Sequence, residues 1–155
     1  MINITLDLGE APSVLAALSH PALAQQLVNV AAESYVDDMH DWIDAGRAFT
    51  PREGQLQQSI NWHPLGNGAA VIYANAANAA YAGFVEDGTA PHVIEPKPGR
   101  KGLKIPAAGG GGYVIRRRVN HPGSRPHPFF FADQADRSRR MQERALSVLA
   151  ARIGV

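Results

Sequence analysis

Between Pro21 and Gly46, apolar residues recur three and four apart, at Leu23, Leu27, Val30, Ala31, Tyr35, Met39 and Trp42. That spacing predicts one stripe along an α-helix. Pro21 suits its first turn, where a missing N–H costs nothing, and Gly46 suits its end. A helix with a single apolar stripe draws most of its stability from tertiary packing, so the rest of the chain must supply a layer that covers it. A second apolar face, Phe130, Ala135, Met141, Ala145, Leu149 and Ile153, marks a closing helix. Its exterior is basic, with Arg137, Arg139, Arg140, Arg144 and Arg152, those near the C-terminal end matching the helix dipole.

The segments between the helices read as short strands and turns. Ile60 to His63 and Ala69 to Tyr73 flank Leu65-Gly66-Asn67-Gly68, and Asn67-Gly68 supplies the positive φ angles of a hairpin turn. A short helical segment precedes this hairpin, after the break at Thr50-Pro51. Residues 81–86 form one helical turn ending near Gly88, and His92 to Pro98 is extended. Leu103 to Pro106 is a short strand, and Tyr113-Val114-Ile115 with Val119 is its returning partner, interrupted by Arg116-Arg117-Arg118. The glycines from Gly109 to Gly112 form the tip between them. No Gly-Lys-Ser or Gly-Lys-Thr follows those glycines, so they do not make a phosphate loop. The fold class expected is α+β: a long N-terminal helix and a C-terminal helix packed on a small, mainly antiparallel sheet with a long Gly-rich hairpin loop. Residues 1–20, which begin with the alternating Ile2, Ile4, Leu6 and Leu8 and continue into a brief helical stretch after Pro12, read as an arm ahead of one domain spanning 21–155.

With 155 residues and no cysteine, disulfides, thiolate zinc sites and a Cys nucleophile are excluded. MINITLDLGE has acids where a signal peptide has a basic region, and no apolar run approaches the roughly 20 residues that span a bilayer. A soluble chain with no membrane partner is expected. The net charge of +1 conceals an asymmetry. Residues 1–96 hold two basic and eleven acidic side chains, net −9, whereas residues 97–155 hold thirteen basic and three acidic ones, net +10. Either the fold keeps these halves apart as opposed faces suited to head-to-tail contact, or it interleaves them as surface ion pairs.

Three segments carry a recognisable pattern. Pro51, Gly54, Leu56, Ser59 and Ile60 match Pro-x-x-x-Gly-x-Leu-x-x-Ser-Ile, with Glu53 where a Thr is usual. Tyr81, Ala82, Val85, Glu86, Gly88 and Thr89 match Tyr-Ala-x-x-Val-Glu-x-Gly-Thr. His121, Pro122, Gly123, Pro126, Pro128 and Phe129 match His-Pro-Gly-x-x-Pro-x-Pro-Phe. In this order and spacing, from about Leu23 to Ile153, the chain resembles the neck, head-tail joining, tail-completion or minor tail-component proteins of tailed bacteriophages. Each motif also has a purely structural reading: Gly54 and Gly88 as turn residues, Tyr81, Phe84 and Val85 as core contacts, Phe129 and Phe130 as anchors of the last helix.

The resemblance implies a virion protein, assembled in the cytoplasm of the host bacterium, that forms a homo-oligomeric ring between head and tail and continues the DNA channel. Its partners would be copies of itself, the head connector or stopper, and tail tube or terminator proteins, with genomic DNA passing nearby without specific contact. A tail terminator or another minor tail protein is the nearest alternative. A DNA-binding module built on Arg116 to Arg118 and the basic helix is a second, although no helix-turn-helix pattern or interleaved aromatics accompany the cations. No cofactor is expected. His63, His92, His121 and His127 are scattered, and neither Gly-x-Ser-x-Gly nor His-Glu-x-x-His occurs, so no catalytic residues are assigned. His40 and Asp44, one helical turn apart, have the spacing to share an ion, but an exposed acidic face explains them as well. Glu86, Arg116, Arg117 and Arg118 are the candidate residues for subunit contact.

Overall fold

The computed structural model describes residues 4–5, 21–107 and 110–153, and its architecture is α+β. In chain order it comprises β1 (Ile4–Thr5), α1 (Pro21–Asp44), α2 (Gln55–Ser59), β2 (Ile60–Gly66), β3 (Ala69–Ala74), α3 (Ala76–Ala79), α4 (Ala82–Asp87), β4 (His92–Ile94), β5 (Leu103–Pro106), β6 (Tyr113–Arg116), β7 (Val119–His121) and α5 (Gln134–Ile153). The brief helical stretch expected after Pro12 lies outside the described residues.

Helix α1 is the centre of the packing. Its buried side chains are Leu27, Val28, Ala31, Ala32, Tyr35, Val36, Met39 and Ile43. The apolar face is therefore broader than the predicted stripe and rotated by about one residue, and Leu23, Val30 and Trp42 lie at its half-buried margins. One side of α1 packs on α5 and another on β2 and β3. Among the element contacts, α5 rests on α1 rather than on a sheet. The core closes with Leu56, Ile60, Ala70, Ile72, Phe129, Phe130, Met141 and Ala145.

The strands form three small antiparallel sheets, not one. In the first, β3 is central between β1 and β2, with Ile60 opposite Ala74 and Trp62 opposite Ile72. Its hairpin turns at Asn67 (φ 53°) and Gly68 (φ 72°), the two positive values that a right-handed strand twist requires of a two-residue turn. In the second, β4 pairs with β7, His92 facing His121 and Ile94 facing Val119. In the third, β5 pairs with β6, Leu103 facing Arg116 and Pro106 facing Tyr113. The expected single returning strand from Tyr113 to Val119 is thus two strands in different sheets. The chain leaves one sheet at Arg116 and enters the other at Val119, and the three arginines at this changeover are all exposed. Of the Gly-rich run, Gly109 falls outside the described residues, while Ala107 N–H donates to Gly112 O (3.0 Å) beyond the last strand pair.

Charge on α1 and α5 is partly interleaved. Arg140 Nε donates to Asp38 across the helix pair at 2.8 Å and its Nη2 lies 3.8 Å from Asp133, and Arg139 bridges Asp136 and Glu143 along α5 itself.

Met39 is fully buried at the centre of these contacts, so Met39→Ala should lower unfolding free energy by about 2–5 kcal/mol. Leu146→Ala, at a position 52% exposed, should change it by less than about 0.5 kcal/mol, both read from denaturant midpoints at constant slope.

Candidate functional site

The three sequence motifs, separated by up to seventy positions, meet in one place. The second begins at Tyr81, which precedes α4, and places Glu86 in the last turn of that helix. Glu86 is buried at 6% exposure. Its Oε2 accepts from Phe129 N–H (2.8 Å) and Phe130 N–H (2.8 Å), and its Oε1 from Phe131 N–H (3.1 Å). These three amides belong to a segment outside any helix or strand, where no ladder supplies acceptors. A carboxylate meets the need for several acceptor sites at one point. Glu86, expected at a subunit contact, therefore has its carboxylate engaged within the chain.

The carbonyl side of the same segment is held by Arg137 and Tyr35. Arg137 Nη1 donates to Phe129 O (2.6 Å) and Phe130 O (3.2 Å), and Tyr35 Oη donates to Phe130 O (3.0 Å). Arg137 is fully buried, which corrects its assignment to the basic exterior of the last helix. The guanidinium centre lies 5.8 Å from the Tyr35 ring and 5.4 Å from the Trp42 ring. Those π faces accommodate a charge whose Nε and Nη2 have no hydrogen-bond partner among the described residues. Burial pushes the Arg137 pKa below its ordinary value, opposed by Tyr35, Asp38 and Asp133. Burial likewise raises that of Tyr35, with the Arg137 charge acting against it.

The second and third motifs also cross backbone to backbone. Thr89 N–H donates to Ser124 O (2.9 Å) and Ser124 N–H to Thr89 O (3.1 Å), and β4 and β7 continue the pairing. Gly88 and Gly123 flank this crossing with φ of 72° and 86°. A Cβ on Gly88 would lie 2.8 Å from Pro126 N, and one on Gly123 would collide with the Thr89 carbonyl. Both positions exclude a side chain on two grounds, conformation and space. His121 Nδ1 accepts from Gly123 N–H (3.1 Å), fixing the turn through Pro122. His127 ties the crossing to the loop after α1: its backbone N–H donates to Val85 O (2.8 Å) and its Nδ1–H to Ala48 O (3.0 Å).

The first motif completes one wall. Leu56 and Ser59 are buried, Ser59 Oγ donates to Leu56 O (2.6 Å), and Gly54 caps α2. Pro51, Gly54 and Leu56 join Phe49, Tyr81, Phe84, Val85, Arg125 and His127 around an open, mostly apolar groove of about 380 Å³. Tyr81 (42% exposed) and Phe84 (64%) are at this groove rather than in the core, contrary to expectation. Pro126 and Pro128 are exposed beside the buried Phe129.

Arg116, Arg117 and Arg118 form no ion pair with Glu86 or with any other acid among the described residues. All three are exposed. His40 and Asp44 both engage Gln57, His40 Nε2–H donating to its carbonyl (3.1 Å) and Asp44 accepting from its amide (2.8 Å), which accounts for the pair without an ion. Among the described residues no group of three or more metal-ligating side chains converges, and no helix is long and apolar enough to cross a membrane. Arg137 and Tyr35 are site residues that none of the three motifs contains. The signal was present, since Arg137 stands four residues before Met141 and continues the stripe through Ala145 and Leu149.

Comparison of the chain with protein-family models, with curated proteins and with solved structures found no match.

Two outcomes follow from this geometry. Glu86→Ala, which strands three amides, should cost about 3–5 kcal/mol of stability, and Glu86→Gln, which retains one carbonyl acceptor, should cost less. Above pH 10.0, the ordinary tyrosine pKa, stability should fall as pH rises, because the raised Tyr35 value means that the unfolded chain loses its proton first. Tyr35→Phe should flatten that alkaline loss, measured by urea unfolding across the pH range.

Proposed function

We propose that this protein is a structural, non-enzymatic subunit of the neck of a tailed bacteriophage, assembling as a ring that joins head to tail. The observation that carries the proposal is the convergence of the three family-like motifs. Segments 51–60, 81–89 and 121–129 build one shared junction. Residues whose spacing resembles a family's are thereby accounted for by mutual contact, and a pattern arising by chance has no reason to converge.

The chemistry of the junction supports a scaffold role. Its buried ionic groups, Glu86 and Arg137, spend their hydrogen bonds on backbone groups of residues 129–131, as groups that hold a fold together do. Exposed apolar residues occur instead in separate surface groups, Tyr81 with Phe84 and Tyr113 with Ile115, as expected of a chain that contacts neighbours on more than one side. The Gly-rich segment between β5 and β6 acts in this reading as a reaching hairpin tip. The ring's neighbours are connector or stopper on one side and tail tube or terminator on the other.

Reconstruction of purified particles tests the proposal. The chain should account for a closed ring of density at the head-tail junction, and disruption of its gene should leave heads and tails unjoined. Tailed, infectious particles devoid of this chain would refute it.

A further inference from the structure

Residues 97–118 carry Lys97, Arg100, Lys101, Lys104, Arg116, Arg117 and Arg118 and no acid. This segment contains β5 and β6, which pair only with each other. Among the described residues no third strand covers either edge, and no helix makes an extensive contact with the pair. Isolated two-stranded hairpins are at best marginally stable in water. This one also leaves Tyr113, Val114 and Ile115 at 56%, 38% and 62% exposure. Successive strand residues point to opposite faces, so apolar surface is open on both sides of it. Lys104 Nζ sits 3.9 Å from the Tyr113 ring centroid. Among the described residues, no acid lies within ion-pair distance of any of the seven cations.

The complement is on the same chain. Glu33, Asp37, Asp41 and Asp44 are exposed and stand four, four and three residues apart on α1, which aligns them on one face. Like charges at this spacing repel. None of the four has a cationic partner among the described residues. The stripe runs about 16 Å along the helix axis, and each strand of the hairpin is about 13 Å long.

We infer that the β5–β6 hairpin of one copy docks along the acidic stripe of α1 on the next copy, with Arg116 to Arg118 facing Asp37, Asp41 and Asp44. The inference rests on the ring proposal for its setting and adds the two surfaces that join neighbouring subunits. Two different surfaces in contact make a head-to-tail interface, the kind that closes into a ring when the rotation per copy permits. The exposed apolar trio favours a protein partner over duplex DNA, because phosphate backbone offers cations a match and offers Val114 and Ile115 none.

A chain without native cysteine permits a direct test. Arg117→Cys and Asp41→Cys are prepared as separate full-length proteins and mixed under mild oxidation. The expected product is the mixed disulfide dimer in excess over either homodimer. Its yield should fall with rising salt, and by about tenfold when Arg116 and Arg118 are also changed to Glu. Adding Asp37→Arg and Asp44→Arg to the Asp41→Cys partner should restore it, an outcome that unfolding cannot mimic. No preference for the mixed dimer overturns the inference, and so does duplex DNA binding through the same arginines without any cross-link. If particle reconstruction shows the ring while the cross-link fails, only the pairing of surfaces is wrong. If the cross-link forms while particles lack the chain, the ring proposal falls and head-to-tail association remains.

Discussion

Three consecutive amides, Phe129 to Phe131, determine where the segments of this molecule must meet. They lie in irregular backbone, with Phe129 and Phe130 fully buried, and a buried N–H without an acceptor costs more than most single contacts return. Glu86 accepts all three. On the opposite side Arg137 and Tyr35 donate to the carbonyls of Phe129 and Phe130. A negative group thus faces the N–H ends of the peptide dipoles and a positive group faces the C=O ends. Neither charge is paired directly with the other; the peptide plane between them mediates the attraction. This arrangement anchors α5 at its entrance, since Gln134 follows three residues after Phe131, and it fixes α4 against α1 through Tyr35.

Much of the rest follows from delivering Glu86 to that position. Helix α4 is six residues long, too short to be stable alone, and it is held by the crossing at Thr89 and Ser124. That crossing brings two backbones closer than any Cβ allows, which is why glycine occupies positions 88 and 123. His127 then joins the crossing to Ala48, beyond the end of α1. The groove between Phe49, Leu56, Tyr81 and Phe84 is what remains where these pieces abut.

The elements governed by local rules were legible in the sequence. Both long helices, the Asn67-Gly68 hairpin and the turn at Gly88 depend on periodicity or on backbone angles that particular residues favour. What was not legible depended on partners distant in the chain. The Arg116 to Arg118 run looked like an interrupted strand because nothing local announces that β6 and β7 pair with different neighbours. Arg137 looked like one of five surface cations, since its burial depends on Tyr35 and Trp42, roughly a hundred residues earlier. Glu86 stands out in the second motif, but the amides it serves lie more than forty residues on, and nothing local announces them.

The opposed charges of the two halves of the sequence resolve into two physically different cases. In α5 the positive charge is largely used within the chain: Arg139 meets Asp136 and Glu143, Arg140 meets Asp38 and Asp133, and Arg137 is buried against backbone carbonyls. Of these contacts Arg140 to Asp38 fastens α5 to α1, and the others engage the remaining charges within α5 and the segment that leads into it. Among the described residues the hairpin segment has no such neutralisation, and neither does the acidic stripe of α1. Exposed pairs inside a chain contribute little to folding, so folding alone exerts weak pressure to concentrate seven cations in twenty-two residues or four acids on one helical face. Segregation of this kind instead orients association, raising encounter rates and fixing which surfaces meet. Because the two signs reside on separate elements, the proposed contact between them would leave an unused hairpin on one copy and an unused stripe on the other, and growth would continue until the geometry closed.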